Sequence, residues 1–71
     1  MLVDLDVHSK IAYWTYVDLA PGALQGLFRA NADGTAWTAI ESSSDVYWGG
    51  VRADDNYIFY FHAGALYRRM K

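Results

Sequence analysis

From Leu2 to Val7 apolar residues alternate with Asp4 and Asp6. A period of two marks a strand with one buried face. After the polar break His8-Ser9-Lys10 comes Ile11-Ala12-Tyr13-Trp14-Thr15-Tyr16-Val17, rich in β-branched and aromatic residues and without a polar face. Such a run fits a strand covered on both sides, and a helix is disfavoured because most of its residues are poor helix formers. Asp18 to Gln25, with Pro21-Gly22 inside it, reads as a loop. Strands follow at Leu27–Ala30 and Ala36–Ile40. Between them Asn31-Ala32-Asp33-Gly34 forms a tight turn, with Gly34 at a positive φ. Glu41 to Asp45 is a polar connection. The pattern then restarts: a glycine-interrupted strand at Val46–Ala53, a turn at Asp54-Asp55-Asn56, a strand at Tyr57–Phe61, a turn at His62-Ala63-Gly64 and a strand at Ala65–Arg69. Seven short strands with short connections predict antiparallel neighbours and an all-β fold.

The restart is an internal repeat. Ile11-Ala12-Tyr13-Trp14-Thr15 aligns with Ile58-Phe59-Tyr60-Phe61-His62, and Leu27-Phe28-Arg29 with Leu66-Tyr67-Arg68. A repeat of roughly 40–45 residues with four strands each is the period of propeller blades, whose middle strands are covered on both faces by stacking. Trp14 is therefore expected more than nine-tenths buried between blades.

These residues resemble a known family. Leu5-Asp6-Val7, Ile11 to Thr15, and Leu27-Phe28-Arg29-Ala30-Asn31-Ala32-Asp33-Gly34-Thr35 are similar to the YWTD repeat of low-density-lipoprotein-receptor-type β-propellers. That repeat runs "LD…iYWTD" and then "IyRanlDGs". Tyr16 stands where the family has the Asp of YWTD, and Tyr60-Phe61-His62 replaces Tyr-Trp-Thr in the second copy. The resemblance implies a six-bladed ring, of which two blades are a third. The expected architecture is two antiparallel β-propeller blades, the first four-stranded (residues 1–44) and the second three-stranded (45–71). A chain of this kind is a fragment or a protomer, with an open edge along Ala65–Met70 and two apolar faces in water.

Composition narrows the function classes. The chain has 71 residues, a formal charge of −2, no cysteine, and 54% apolar content with twelve aromatics. So small a domain hides only about 60% of its unfolded surface and is marginal alone. Disulfides cannot stabilise it, and its two histidines, without cysteine, suggest no structural metal. Six basic against eight acidic residues leave no broad basic footprint for nucleic acid. No apolar run approaches the roughly 20 residues of a membrane span, and no basic segment leads into an apolar one as in a signal peptide. A soluble chain is expected, in a compartment the sequence does not specify.

Chemistry-bearing groups are sparse. Asp4 and Asp6 share a strand face, as an acid/base pair or, more plainly, as carboxylates hydrating a central channel. Asp54-Asp55-Asn56 reads as a calcium-ligand cluster or as a polar hairpin turn, the turn being favoured. His8 and His62 fall at opposite ends of equivalent strands, which separates them. Ser42-Ser43-Ser44 is a linker, and Arg68-Arg69 with Lys71 a small basic tail. Trp14 and Trp37 fit packing positions better than sugar stacking. Strand alternation places Asp18–Gln25, Glu41–Asp45 and His62–Gly64 on one rim, and His8–Lys10, Asn31–Gly34 and Asp54–Asn56 on the other. The first rim has the longer loops, so the candidate ligand-binding residues are Asp18, Ser44, Tyr47, Trp48 and His62, with Trp48 as the exposed aromatic. No catalytic residue, metal ligand or cofactor is assigned.

The function expected is a non-catalytic propeller unit that assembles with copies of itself, as a homotrimeric six-bladed ring or, next, a dimer. It would serve as a scaffold or as a module binding a protein or peptide, with no nucleic-acid or membrane partner. The alternative is part of a lectin-like or lactonase-like propeller with a ligand on the loop rim.

Overall fold

The computed structural model describes residues 1–20 and 22–71; the Pro21 part of the predicted loop lies outside them. Seven strands follow in chain order: β1 Leu2–His8, β2 Ile11–Tyr16, β3 Gln25–Asn31, β4 Thr38–Ser43, β5 Trp48–Ala53, β6 Tyr57–His62 and β7 Ala65–Met70. They form a four-stranded antiparallel sheet in the order β1-β2-β3-β4 and a three-stranded one in the order β5-β6-β7. No helix occurs among the described residues. The chain is all-β, as its period-two patterning predicts.

Turn chemistry sets the hairpins. Ser9 and Lys10, at φ 51° and 65°, make a two-residue turn whose positive φ pair matches the strand twist, and Ala63–Gly64 does the same between β6 and β7. Gly34 takes φ +89° where the chain leaves β3, and its N–H donates to Asn31 O at 2.8 Å.

Each sheet sends one row of side chains inward. From the first come Tyr13 and Thr15 of β2 and Leu27 of β3; from the second, Trp48, Val51, Ile58 and Tyr60. These residues, with Val17, are buried, and the apolar ones form one core between the sheets. The alternate residues point away from it: Leu5, Trp14 and Phe28 form a cross-strand row on the outer face of the first sheet. Trp14 is therefore only partly buried, against the expectation of full burial, because β2 is covered by a sheet on one side alone.

Three irregularities lay outside the periodic reading. Leu2 and Asp4 of β1 face Tyr16 and Thr15, leaving Val3 as a bulge, and Ile40 is the extra residue in β4. In β5, Trp48 faces His62 while Val51 faces Tyr60, so Gly49-Gly50 holds an extra residue. Strict alternation from Val51 would aim Trp48 outward; the bulge turns it into the core.

Element ends also shift. The expected Glu41–Asp45 connection begins only after Ser43, because β4 continues through Glu41 to pair with Leu27, Gly26 and Gln25. The expected starts at Ala36 and Val46 move to Thr38 and Trp48, with Ala36 itself at φ 57°. The repeat is one residue out of step in its third strand. Ile11 faces Asn31, whereas its counterpart Ile58 faces Arg69, so Phe28 is equivalent to Leu66 and the Leu27–Leu66 alignment fails.

Candidate functional site

The first rim forms where the chain leaves β2, β4 and β6. Gln25 stitches two of its loops: Asp18 N–H donates to Gln25 Oε1 at 3.0 Å, and Gln25 Nε2 donates to Ser44 O at 3.3 Å. Both polar ends of this buried amide are thereby satisfied. Asp18 caps its own turn by accepting from Ala20 N–H at 2.9 Å. Asp18 and Ser44 line a hollow of about 540 Å³ together with Gln25, Ser42 and Ser43.

Tyr47, Trp48 and His62 lie to one side of that hollow and are drawn together by Asp45. Its carboxylate accepts Tyr47 N–H at 3.0 Å and sits 2.9 and 3.0 Å from His62 Nε2. The Tyr47 amide first, and the imidazole second, hold Asp45 below the usual carboxylate range. Trp48 is 4% exposed, which corrects its assignment as the exposed rim aromatic. Its ring stacks on His62 at 3.9 Å and 7°, and its Nε1 donates to Ser43 Oγ at 2.9 Å. Tyr47, at 67% exposure, is the aromatic that does face water on this rim.

Asp45 and His62 form a carboxylate–imidazole pair, but the nearby Ser43 hydroxyl accepts from the Trp48 indole N–H and donates to Asp45 O at 3.5 Å. The arrangement clasps the inter-sheet connection to the end of β6. Sequence reasoning passed over Asp45, although an Asp two residues before an amide it can cap is a legible turn signal.

A second set of polar contacts joins the sheets along their first strands. Asp4 Oδ2 accepts Val51 N–H at 2.9 Å, and Asp6 Oδ2 accepts Ala53 N–H at 2.7 Å. His8 Nε2 lies 2.7 Å from Asp55 Oδ1. Each pair is separated by 47 residues, so β1 and β5 advance side by side. The carboxylates of Asp4 and Asp6 occupy backbone donors of the neighbouring sheet. The Val51 amide foremost holds Asp4 below its usual range against the opposing effect of burial, with the Leu5 amide and Arg52 Nη1, at 2.7 Å, adding to it. Thr15 Oγ1 completes the seam by donating to Gly49 O at 2.7 Å.

The remaining candidates are dispersed. Asp54 accepts from the amides of Asn56 and Tyr57 at 2.8 and 2.7 Å and so closes its hairpin. Arg69 approaches Glu41 at 3.8 Å, which also accepts the Tyr60 hydroxyl at 2.7 Å; burial, then this bond, raises the Tyr60 hydroxyl above its ordinary range. Among the described residues no group of three or more His, Cys, Asp or Glu could hold a metal ion.

Exposed apolar side chains gather on the two outer faces. On the first sheet a hollow of about 540 Å³ is bounded by Leu5, Trp14, Phe28 and Trp37. Phe28 stacks on Trp14 at 5.8 Å and meets Trp37 at 6.0 Å, leaving Trp37 61% exposed. On the second sheet Phe61 and Leu66 face each other across β6 and β7, both in water. Comparison with protein-family descriptions, curated proteins and solved structures returned no match for this chain.

Proposed function

We propose that the chain is a non-catalytic pair of propeller blades, of the type its Tyr13-Trp14-Thr15 repeat resembles, whose activity is assembly with further copies of itself. Three copies supply the six blades of a closed ring. One observation carries this reading: in a single chain both outer sheet faces hold large apolar side chains in water, Leu5 and Trp37 on one and Phe61, Leu66 and Met70 on the other. Contiguous exposed apolar surface of this kind marks an interaction site, and so small a domain gains much from burying it. β7 adds to the argument, since all six of its residues are exposed.

The rim supports a ligand-binding role less well. Trp48, the aromatic on which such a role relied, is spent on the core and on His62. Asp4 and Asp6 have their carboxylates committed to backbone amides.

The test is the dependence of thermal stability on concentration. An assembling chain melts higher as its concentration rises, by mass action. A reversible melting temperature unchanged over roughly a hundredfold range of concentration contradicts the proposal.

A further inference from the structure

The two outer faces differ, and the difference dictates how copies meet. We infer that the outer face of the three-stranded sheet of one copy seats on the outer face of the four-stranded sheet of the next; this rests on the assembly reading above and specifies its surfaces.

Continuity with the contact inside the chain is the first argument. The two sheets already stack face to face with β1 and β5 running in the same direction. Repeating that step in the same sense places a four-stranded sheet after every three-stranded one, so each junction between copies joins unlike faces.

Shape and charge agree with it. The hollow over Trp14 and Phe28 has no charged side chain in its lining. Two such hollows set together leave a void, which packed interfaces avoid. The opposite face has only a smaller hollow, of about 380 Å³, with Phe61 and Leu66 in its wall beside Asp4 and Arg52, and strand alternation puts Arg68 on that same face. Two copies of it set together would oppose their Arg68 guanidinium groups, the Arg52 charge being met by Asp4 at 2.7 Å. Set on the unlike face, Arg68 lies toward the end of the sheet that carries the β5–β6 turn. That end stands beside the β1–β2 turn within the chain, where His8 meets Asp55 and Ala32 N–H donates to Lys10 O. The Asp33 turn belongs to the same end and borders the hollow.

Because the surfaces are unlike, the contact is heterologous and closes only as a ring.

Two variants test the pairing, each altering a side chain that is 61% exposed: Trp37→Arg on the four-stranded face and Leu66→Glu on the three-stranded one. Cooperative melting checks that each folds, and Met70→Glu, on the same face as Leu66, replaces the second if it does not. In sedimentation velocity each variant alone runs as a monomer, while an equimolar mixture forms a two-chain complex through the intact face of each. Association of Trp37→Arg alone means that like three-stranded faces or edges pair; association of Leu66→Glu alone means like four-stranded faces or edges; a mixture that stays monomeric means that the faces do not meet. Each of these overturns the inference while leaving assembly standing. A monomeric parent chain overturns assembly itself.

Discussion

Asp4 shows how a single side chain does work that a strand pattern conceals. Its alternation with leucine and valine predicts an outward carboxylate, yet that carboxylate satisfies Val51 N–H, which otherwise lies unpaired at the edge of β5. Asp4→Ala is expected to cost about 1–3 kcal/mol, the usual cost of stranding a buried donor. The pH dependence follows from the direction of the shift. Folding lowers the Asp4 carboxyl, so its contribution is complete above the ordinary carboxylate value of about 4 and is lost as pH falls through the lower folded value. Asp45 and Asp54 shift the same way. Melting measured across this acid range should fall steeply for the parent chain and less steeply for Asp4→Asn; parallel curves would contradict the assigned role. Gly26 makes a second residue-scale case. A Cβ placed there would sit 2.1 Å from Glu41 O, a backbone atom that cannot move without unpairing β4. Gly26→Ala should therefore destabilise by more than the roughly 1 kcal/mol typical of point changes, whereas Gly34→Ala, with open space around it, incurs only the backbone strain of about 1–2 kcal/mol.

Among the elements, all seven strands and the sidedness of their turns were legible, because alternation and turn residues are local signals. The bulges were not. An extra residue leaves no mark on composition, yet the one at Gly49-Gly50 moves Trp48 from the rim to the core and removes the aromatic on which the rim site depended. The third-strand register failed similarly. Leu27-Phe28-Arg29 and Leu66-Tyr67-Arg68 look alike, but a two-residue turn before β7 and a long loop before β3 offset them by one, which exchanges their faces. Of the rim candidates, Asp18 and Ser44 meet through Gln25, and Tyr47, Trp48 and His62 through Asp45; neither linking residue stands out until the loops are placed in space. Trp48→Ala is expected to cost about 3–5 kcal/mol, as for other large-to-small core changes. Single-tryptophan variants made with phenylalanine replacements in a Leu66→Glu background, which keeps the chain monomeric, check the assignment: acrylamide should quench Trp37 readily and Trp48 poorly. Equal quenching of the two would place Trp48 back on the surface.

At the scale of the whole molecule, one core between two sheets covers only one face of each. The sheets are clasped by carboxylate-to-amide bonds along β1 and β5, while the outer faces carry exposed apolar side chains, Leu5 and Trp37 on one and Phe61 and Leu66 on the other. In the proposed assembly the contact between copies relies on apolar burial, whereas the contact within a chain relies also on ionised aspartates. The most direct measurement is the molar mass by sedimentation equilibrium at neutral pH. A closed ring of three copies gives three times the 8.0 kDa of the chain; a monodisperse 8.0 kDa species at micromolar concentration would contradict the account.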